Sequence, residues 1–343
     1  MNFKIKFSKN TKFTFAIFGG FIFALVLIPV IITATVSPNY ENLNGIEDVD
    51  VTVHDFYENG VTNIIWDDET ESFYITVYRT DASEFQTIEF EQYIVGVVAA
   101  EMPALFERGA LQAQAIAART YAMRILQHHD YILDTVMHQV YLDNYQLKDR
   151  WGDNFSLHLS TIKEAVNSTR GLVLKYGGEL ITPMFFAMSN GATENSEDVF
   201  VAERPYLRSV PSLGYEHLNN FTHDESFSVG ELRYIFGDTS ITTNNIEVLL
   251  HSQGGNVSEV RIGERMYTGR EVREMLGLRS ASFEIFVDGD NRITFTTRGH
   301  GHGVGMSQHG ANVMAQNGYS FEEILRHFYQ NVEIREKILP NLP

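Results

Sequence analysis

The stretch ERGALQAQAIAARTYAMRILQHH limits what this chain can fold into more than any other. Leu111, Ala115, Ala118, Ala122 and Ile125 recur at spacings of four and three, which lines one side of an α-helix with apolar groups. Three of these five residues are alanines, so the helix is slim there and its neighbours must pack closely. Just upstream, FEQYIVGVVAAEMP predicts a shorter helix that stops near Met102, because Pro103 disfavours helical geometry in the residue before it. The bend leaves Glu101 at a helix end beside the slim helix.

Strands are expected in VDVTVHDF and ESFYITVYRT, with a turn at ENG between them. A hairpin is expected about the Gly-Gly turn of 176–180, and a second about DGDN in SASFEIFVDGDNRITFTTRG. A short helix is expected around Thr161–Thr169, and SVGELRYIF begins a helix with Ser or Gly. NNIEVLLHSQGGNVSEVRI reads as helix or strand, then a turn and a strand. TGREVREMLG and SFEEILRHFY carry capping boxes, Thr268 with Glu271 and Ser320 with Glu323. Gly318 stops the helix of SQHGANVMAQNG. The expected fold class is α+β, with strands and helices intermixed, preceded by one N-terminal transmembrane helix.

That last element rests on a charge-free apolar run, Phe13–Val36, whose 24 residues exceed the roughly 20 needed to cross a bilayer as helix. Lys4, Lys6, Lys9 and Lys12 precede it and Glu41, Glu47, Asp48 and Asp50 follow, which orients the N-terminus inward. A cleaved signal peptide is the alternative, but its apolar core is shorter, about 7–15 residues. The expected organisation is a cytoplasmic tail over 1–12, a span over 13–36, a tether over 37–50 and an extracytoplasmic region over 51–337, a single-pass cell-membrane protein.

Lys+Arg total 26 against 44 Asp+Glu, a formal net charge of −18, which argues against a nucleic-acid partner. There is no cysteine, so disulfides, thiolate nucleophiles and cysteine-bound metals are excluded.

Glu101 is the first candidate for chemistry. Its setting, VVAAEMP, is apolar and small, and it lies at the negative end of a helix dipole. Both effects raise a carboxyl pKa, as a general acid requires, although a surface glutamate in a last helical turn satisfies the same sequence. Arg119 and Tyr121 follow on the slim helix and suit an anionic sugar substituent and a sugar ring, or ordinary packing. Ser189, Asn190 and Gly191, with Thr193 and Glu194, form a small polar loop that suits a hydroxyl or acetamido group, or simply a turn. RGHGHGVGMSQHG brings His300, His302 and His309 among five glycines. There is no H-E-x-x-H, and the loop holds no acid, so shaped backbone is favoured over metal binding. His128, His129 and His138 form a second histidine group.

Four ordered stretches together resemble the stage II sporulation protein D family, which includes amidase-enhancer proteins. They are EQYIVGVVAAEMPALFERGALQAQAIAARTYA, MFFAMSNGATENSEDVF with PYLRSV, TGREVREMLGLRSASFEI, and RGHGHGVGMSQHGANVMAQNGYSFEEILRHFY, spanning about Glu91 to Tyr329. The resemblance implies a peptidoglycan lytic transglycosylase of peptide-stripped (denuded) glycan strands, acting in forespore engulfment at the engulfing septal membrane. It implies that the catalytic acid is Glu101 and that the product carries a 1,6-anhydro-muramoyl end. Arg119, Tyr121, Ser189, Asn190, Gly191, Tyr206, Arg208, His302 and Ser307 fall on its motifs and are expected to line a glycan-binding groove. It also implies two partners, the sporulation amidase called protein P and the multi-spanning membrane protein M. Some members look as if they hold zinc through His and Cys, but here DTVMHQVYLD offers His138 and no cysteine. No metal and no cofactor are therefore expected.

Three other readings stay open. One is a non-catalytic protein that holds denuded glycan and recruits or enhances a cell-wall amidase. Another is a water-using muramidase, for which Glu194 and Asp198 are the motif-borne second carboxylates. A purely structural membrane component is a third.

Overall fold

A computed structural model describes residues 64–67 and 72–336, apart from 201, 213, 289 and 290. They belong to a compact unit bounded by Val51 and Pro343, while a separate unit, Met1–Asp50, lies wholly outside the described residues. The strand expected in VDVTVHDF also lies outside them.

The first layer is a sheet in which Ser72–Arg79 pairs antiparallel with Ile64–Asp67 and Glu84–Glu89, and parallel with Ile132–Leu133. Alternation along Ser72–Arg79 turns Phe73, Ile75 and Val77 inward. Glu89 ends the third strand and caps the next helix, Phe90–Glu101, by accepting from the Gln92 amide at 2.6 Å. That helix stops at Met102, whose backbone is extended ahead of Pro103 as expected.

The slim helix runs from Arg108 to Leu126, and fourteen of its nineteen residues are buried. The single apolar side read from the sequence is therefore too narrow an expectation, because a helix covered on all sides is a central one. Helices Phe90–Glu101, Phe155–Asn167, Gln308–Gln316 and Phe321–Phe328 and strand Leu172–Tyr176 all pack on it. Ala110, Ala113, Ala115, Ala117, Ala118 and Ala122 are each fully buried, which lets these neighbours approach from several directions. One long side chain is buried among them. Arg119 is 1% exposed, and its Nε and Nη2 donate to Glu91 at 2.8 and 2.7 Å while Nη1 donates to the Leu172 carbonyl at 3.2 Å. Close approach also explains Gly96, where a Cβ would collide with the Tyr141 ring and lie 2.7 Å from the Leu142 carbonyl oxygen.

A second core lies downstream. Leu232, Phe236, Val260, Ile262, Val272, Ile293 and Phe295 belong to it. It is built from two antiparallel three-stranded sheets, one centred on Arg292–Arg298 and one on Val257–Ile262, with helices Val229–Phe236 and Gly269–Leu276. NNIEVLLH resolves to strand, Ile246–His251. The capping boxes at Thr268 and Ser320 form as expected, and Ser228 with Glu231 makes another.

The mixed α+β architecture stands, but its membrane-spanning element needs correction. Among the described residues no helix is long and apolar enough to cross a membrane. The longest described one, Arg108–Leu126, carries three arginines and is covered by protein. The single-pass topology and the cell-membrane placement thus have no support among the described residues, and 13–36, with the tail and tether, falls outside them.

Replacing Arg119 by Ala strands the Glu91 carboxylate in the core. Loss of one partner of a buried pair costs about 3–5 kcal/mol. Denaturant unfolding of the variant is expected to show a loss of that size, whereas Arg108→Ala, at an exposed pair with Glu164, stays within about 1 kcal/mol of the parent.

Candidate functional site

Glu101 is the last residue of its helix and is partly buried. Burial is the largest influence on its carboxyl and raises its pKa above the ordinary carboxylate range. Three weaker influences oppose burial: a hydrogen bond from Gln308, one from the Val140 amide, and the charge of Arg150. Gln308 Nε2 donates to Glu101 Oε2 at 3.4 Å. Arg150 is held nearby because its Nη1 donates to the Ala100 and Ala99 carbonyls, at 3.0 and 3.4 Å, in the last turn of the same helix. No carboxylate is among the groups acting on Glu101.

Gln308 arrives there through the glycine-rich loop. Gly299, Gly301, Gly303 and Gly305 have φ of 75°, 118°, 89° and 80°, all in the region that favours glycine. Their backbone ties the loop to three other segments. His300 exchanges hydrogen bonds with Met188, the Gly301 amide donates to the Arg279 carbonyl, and the Gly303 carbonyl accepts from Glu194. Met306–Ser307 then pairs in parallel with Phe185–Phe186, and Ser307 caps the helix that Gln308 begins. Farther along that helix, Asn312 Oδ1 accepts from the Glu107 amide at 2.7 Å, and the His309 ring lies 5.0 Å from Phe106. The link between the first two helices is thereby pinned to the end of the loop.

The structure separates the expected groove residues. Tyr121 is half-buried, and both it and Glu101 act on the buried phenol of Tyr93, so it shares the acid's neighbourhood. Arg119 needs correction as a ligand group, since its guanidinium is enclosed with Glu91. Ser189 and Ser307 are buried and meet at one hydroxyl. Ser189 Oγ makes a short hydrogen bond with Tyr215 Oη, and Ser307 Oγ lies 3.3 Å from the same atom. They form an internal polar knot with Ser212 rather than an open wall. Tyr206 is buried too, and its hydroxyl accepts from the Thr182 amide at 3.1 Å. Asn190 closes a turn onto the Ala192 amide, and Gly191 has a φ of 132°. Arg208 pairs with Glu197 at 2.7 Å and Glu203 at 3.6 Å.

His302 has both ring nitrogens occupied. Nδ1 accepts from the Val304 amide at 3.1 Å, which leaves Nε2–H to donate to the Phe185 carbonyl at 3.1 Å. Burial, with Arg273 and Arg270 nearby, pushes its pKa down to about 4, so the ring is neutral near pH 7. Glu194 is buried under the glycine loop. Oε1 accepts from the Asn256 amide at 2.9 Å, and burial, the largest influence, raises its pKa against hydrogen bonds from Ser252, Asn256 and Gly254. Its electrostatic partners include Asp198 but not Glu101. Among the described residues no three or more acidic or histidine side chains gather as metal ligands.

Two residues beside Glu101 were not singled out from the sequence. Arg150 sits in a helix, Asn144–Trp151, with no motif around it. Gln308 is adjacent to Ser307, and only the folded loop shows that its amide, not the serine hydroxyl, reaches the acid.

Comparison with known proteins adds the rest. The family model described as "SpoIID: Stage II sporulation protein" matches residues 78–176. Stage II sporulation protein D of Bacillus amyloliquefaciens is 40% identical over 271 residues, covering 76% of this chain and 78% of the relative. The protein of the same name from Bacillus subtilis is 40% identical over 273 residues, covering 76% and 79%. The amidase enhancer of Bacillus subtilis is 26% identical over 288 residues, covering 68% of this chain and 39% of that protein.

The raised pKa of Glu101 has a stability signature. The folded state holds this proton more tightly than the unfolded chain, so ionisation destabilises the fold above the unfolded pKa, about 4.3. The penalty is complete above the folded pKa. Glu101→Gln is therefore expected to melt higher than the parent at pH 7, and the gap is expected to close as pH falls through the folded pKa to about 4. Thermal melts across that range measure it.

Proposed function

Because this chain belongs to the stage II sporulation protein D family, we propose that it processes cell-wall peptidoglycan during sporulation, with Glu101 acting on the glycan. Family membership supports the sporulation and cell-wall part of this reading. The finer reading is a lytic transglycosylase that cuts the β-1,4 bond between N-acetylmuramic acid and N-acetylglucosamine in peptide-stripped strands.

The observation that carries the finer reading is a lone carboxyl with a raised pKa. Protonated, Glu101 gives its proton to the glycosidic oxygen as the C1–O bond breaks. As carboxylate, it then takes the proton of the muramoyl C6 hydroxyl, whose oxygen closes onto C1 to give the 1,6-anhydro product. The proton balance closes on one side chain. Water-using glycosidases place a second carboxyl across the scissile bond. The motif-borne candidates are committed elsewhere: Glu194 is buried against Asn256, and Asp198 accepts from Asn195 at 2.9 Å. Gln308 and Arg150 favour the ionised form, which limits how far burial shifts the equilibrium and keeps both states accessible.

A second reading has its own support. The relation to the amidase enhancer favours a glycan-holding protein that recruits or stimulates an amidase, and the comparisons back this reading better than they back cleavage. An amidase that frees glycan of stem peptides is the expected partner class in both. The sporulation amidase protein P and membrane protein M are the named candidates.

Incubation of the full chain with stripped strands, followed by mass analysis of the ends, separates the readings. Anhydro-muramoyl ends are expected, and Glu101→Gln is expected to reduce their formation at least about 100-fold, the usual loss for a general acid, while strand binding persists. Binding without any new ends selects the amidase-enhancing reading, and reducing ends select water.

A further inference from the structure

A cavity of about 130 Å3 lies between the glycine-rich loop and the second core, with Phe200, Ser252, Thr268, Arg270, Arg273 and His302 in its wall. Its wall carries two arginines, Arg270 and Arg273, and two acids, Asp198 and Glu274. Arg273 and Arg270 both act on His302, and Arg279 and Arg273 both act on His300, so the three arginines converge on the loop. The Gly301 amide donates to the Arg279 carbonyl at 2.9 Å, which ties the loop to the backbone of that segment.

The acids in the wall are already engaged. Glu274 holds Arg270 at 2.8 Å, and Asp198 accepts from the Asn195 amide group at 2.9 Å. Arg270 is further fixed by the Val199 carbonyl at 3.0 Å and lies over the Phe200 ring. Arg273 is different. Its Nε donates to the Leu278 carbonyl at 3.3 Å, and it makes no ion pair among the described residues. Glu274 acts on it electrostatically but holds no ion pair with it, so this half-buried guanidinium keeps donors for an anion from outside the protein.

The size narrows the choice. Small-molecule sites usually measure about 300–1,000 Å3, so this cavity takes a substituent rather than a whole sugar. Its position narrows it further. His302 is in the wall and Gln308 touches Glu101, and six residues of extended backbone reach at most roughly 20 Å. The cavity and Glu101 are thus joined by one loop segment no longer than a few sugars of a glycan strand.

We propose that this cavity seats the lactyl carboxylate of a peptide-stripped muramoyl residue, with Arg273 as its charge partner. The inference rests on the glycan reading given above. It supplies a chemical reason for selecting stripped strands. While the stem peptide is attached, the lactyl carbonyl is a neutral, bulky amide. Hydrolysis of that amide leaves a small anion in its place. The reaction that must precede action at this site is therefore an amide hydrolysis at the lactyl group.

The test uses the full chain carrying Glu101→Gln, so that strands are held without turnover, and two probes of equal length. One is stripped glycan with free lactyl carboxylates. The other is the same glycan with those groups converted to methylamides. The free-carboxylate strand is expected to bind about tenfold or more tightly, the usual range for a charge-assisted contact. Adding Arg273→Gln is expected to level the two affinities without weakening the methylamide strand, and Arg273→Lys to retain part of the preference. Equal binding of the two strands before any change at Arg273 overturns the carboxylate seat and leaves the glycan reading intact. A preference that survives Arg273→Gln does the same. Failure to bind either strand overturns both. The comparison of the two probes needs no substitution at Arg273, so a poorly folded variant does not decide the outcome.

Discussion

Close packing around the alanine-rich helix is the constraint on which the rest of the molecule depends. Helices approach to about 8–10 Å between axes, with the distance set by the side chains at the contact. Buried alanines on several sides of Arg108–Leu126 allow five other elements to close on it, among them the two C-terminal helices. The first of these, Gln308–Gln316, also carries the glycine loop's end to the start of the slim helix, where Asn312 meets Glu107. Bulkier residues on this helix would hold Gln308–Gln316 away, and with it the amide that bonds Glu101.

The electrostatics of Glu101 follow from the same packing. A helix C-terminus and burial both disfavour the carboxylate, so an undefended acid at this point would stay protonated over a wide range. Gln308, the Val140 amide and Arg150 come from three separate segments and each pulls the other way. The net position between protonated and ionised forms is a tertiary property. It suits the acid-then-base role proposed for this carboxyl.

What could be read from the sequence was what local chemistry decides. The capping boxes at Thr268 and Ser320, the stop at Pro103 and the positive-φ glycines each need only a few neighbouring residues, and each formed. Periodicity placed Arg119 on the right helix but was blind to its burial, because the carboxylate that permits it is Glu91, 28 residues earlier on another helix. Ser189 and Ser307 are each expected along a glycan groove, but they are buried together instead. Their meeting point, Tyr215, lay in a polar stretch with no pattern to mark it. Apolar spacing also gave no sign of a second core, since the short strands and helices that build it show the same alternation as any half-buried element.

The contact between Gln308 and Glu101 joins residues 207 positions apart. During synthesis, which proceeds from the N-terminus, the acid and its helix exist long before the amide that steadies its charge. Until then the carboxyl keeps only the influences of nearer segments, such as Arg150 and Val140. The order of synthesis thus acts as a delay: the complete acid environment appears only after Gln308 has been made, so a shorter nascent chain carries Glu101 without its full setting.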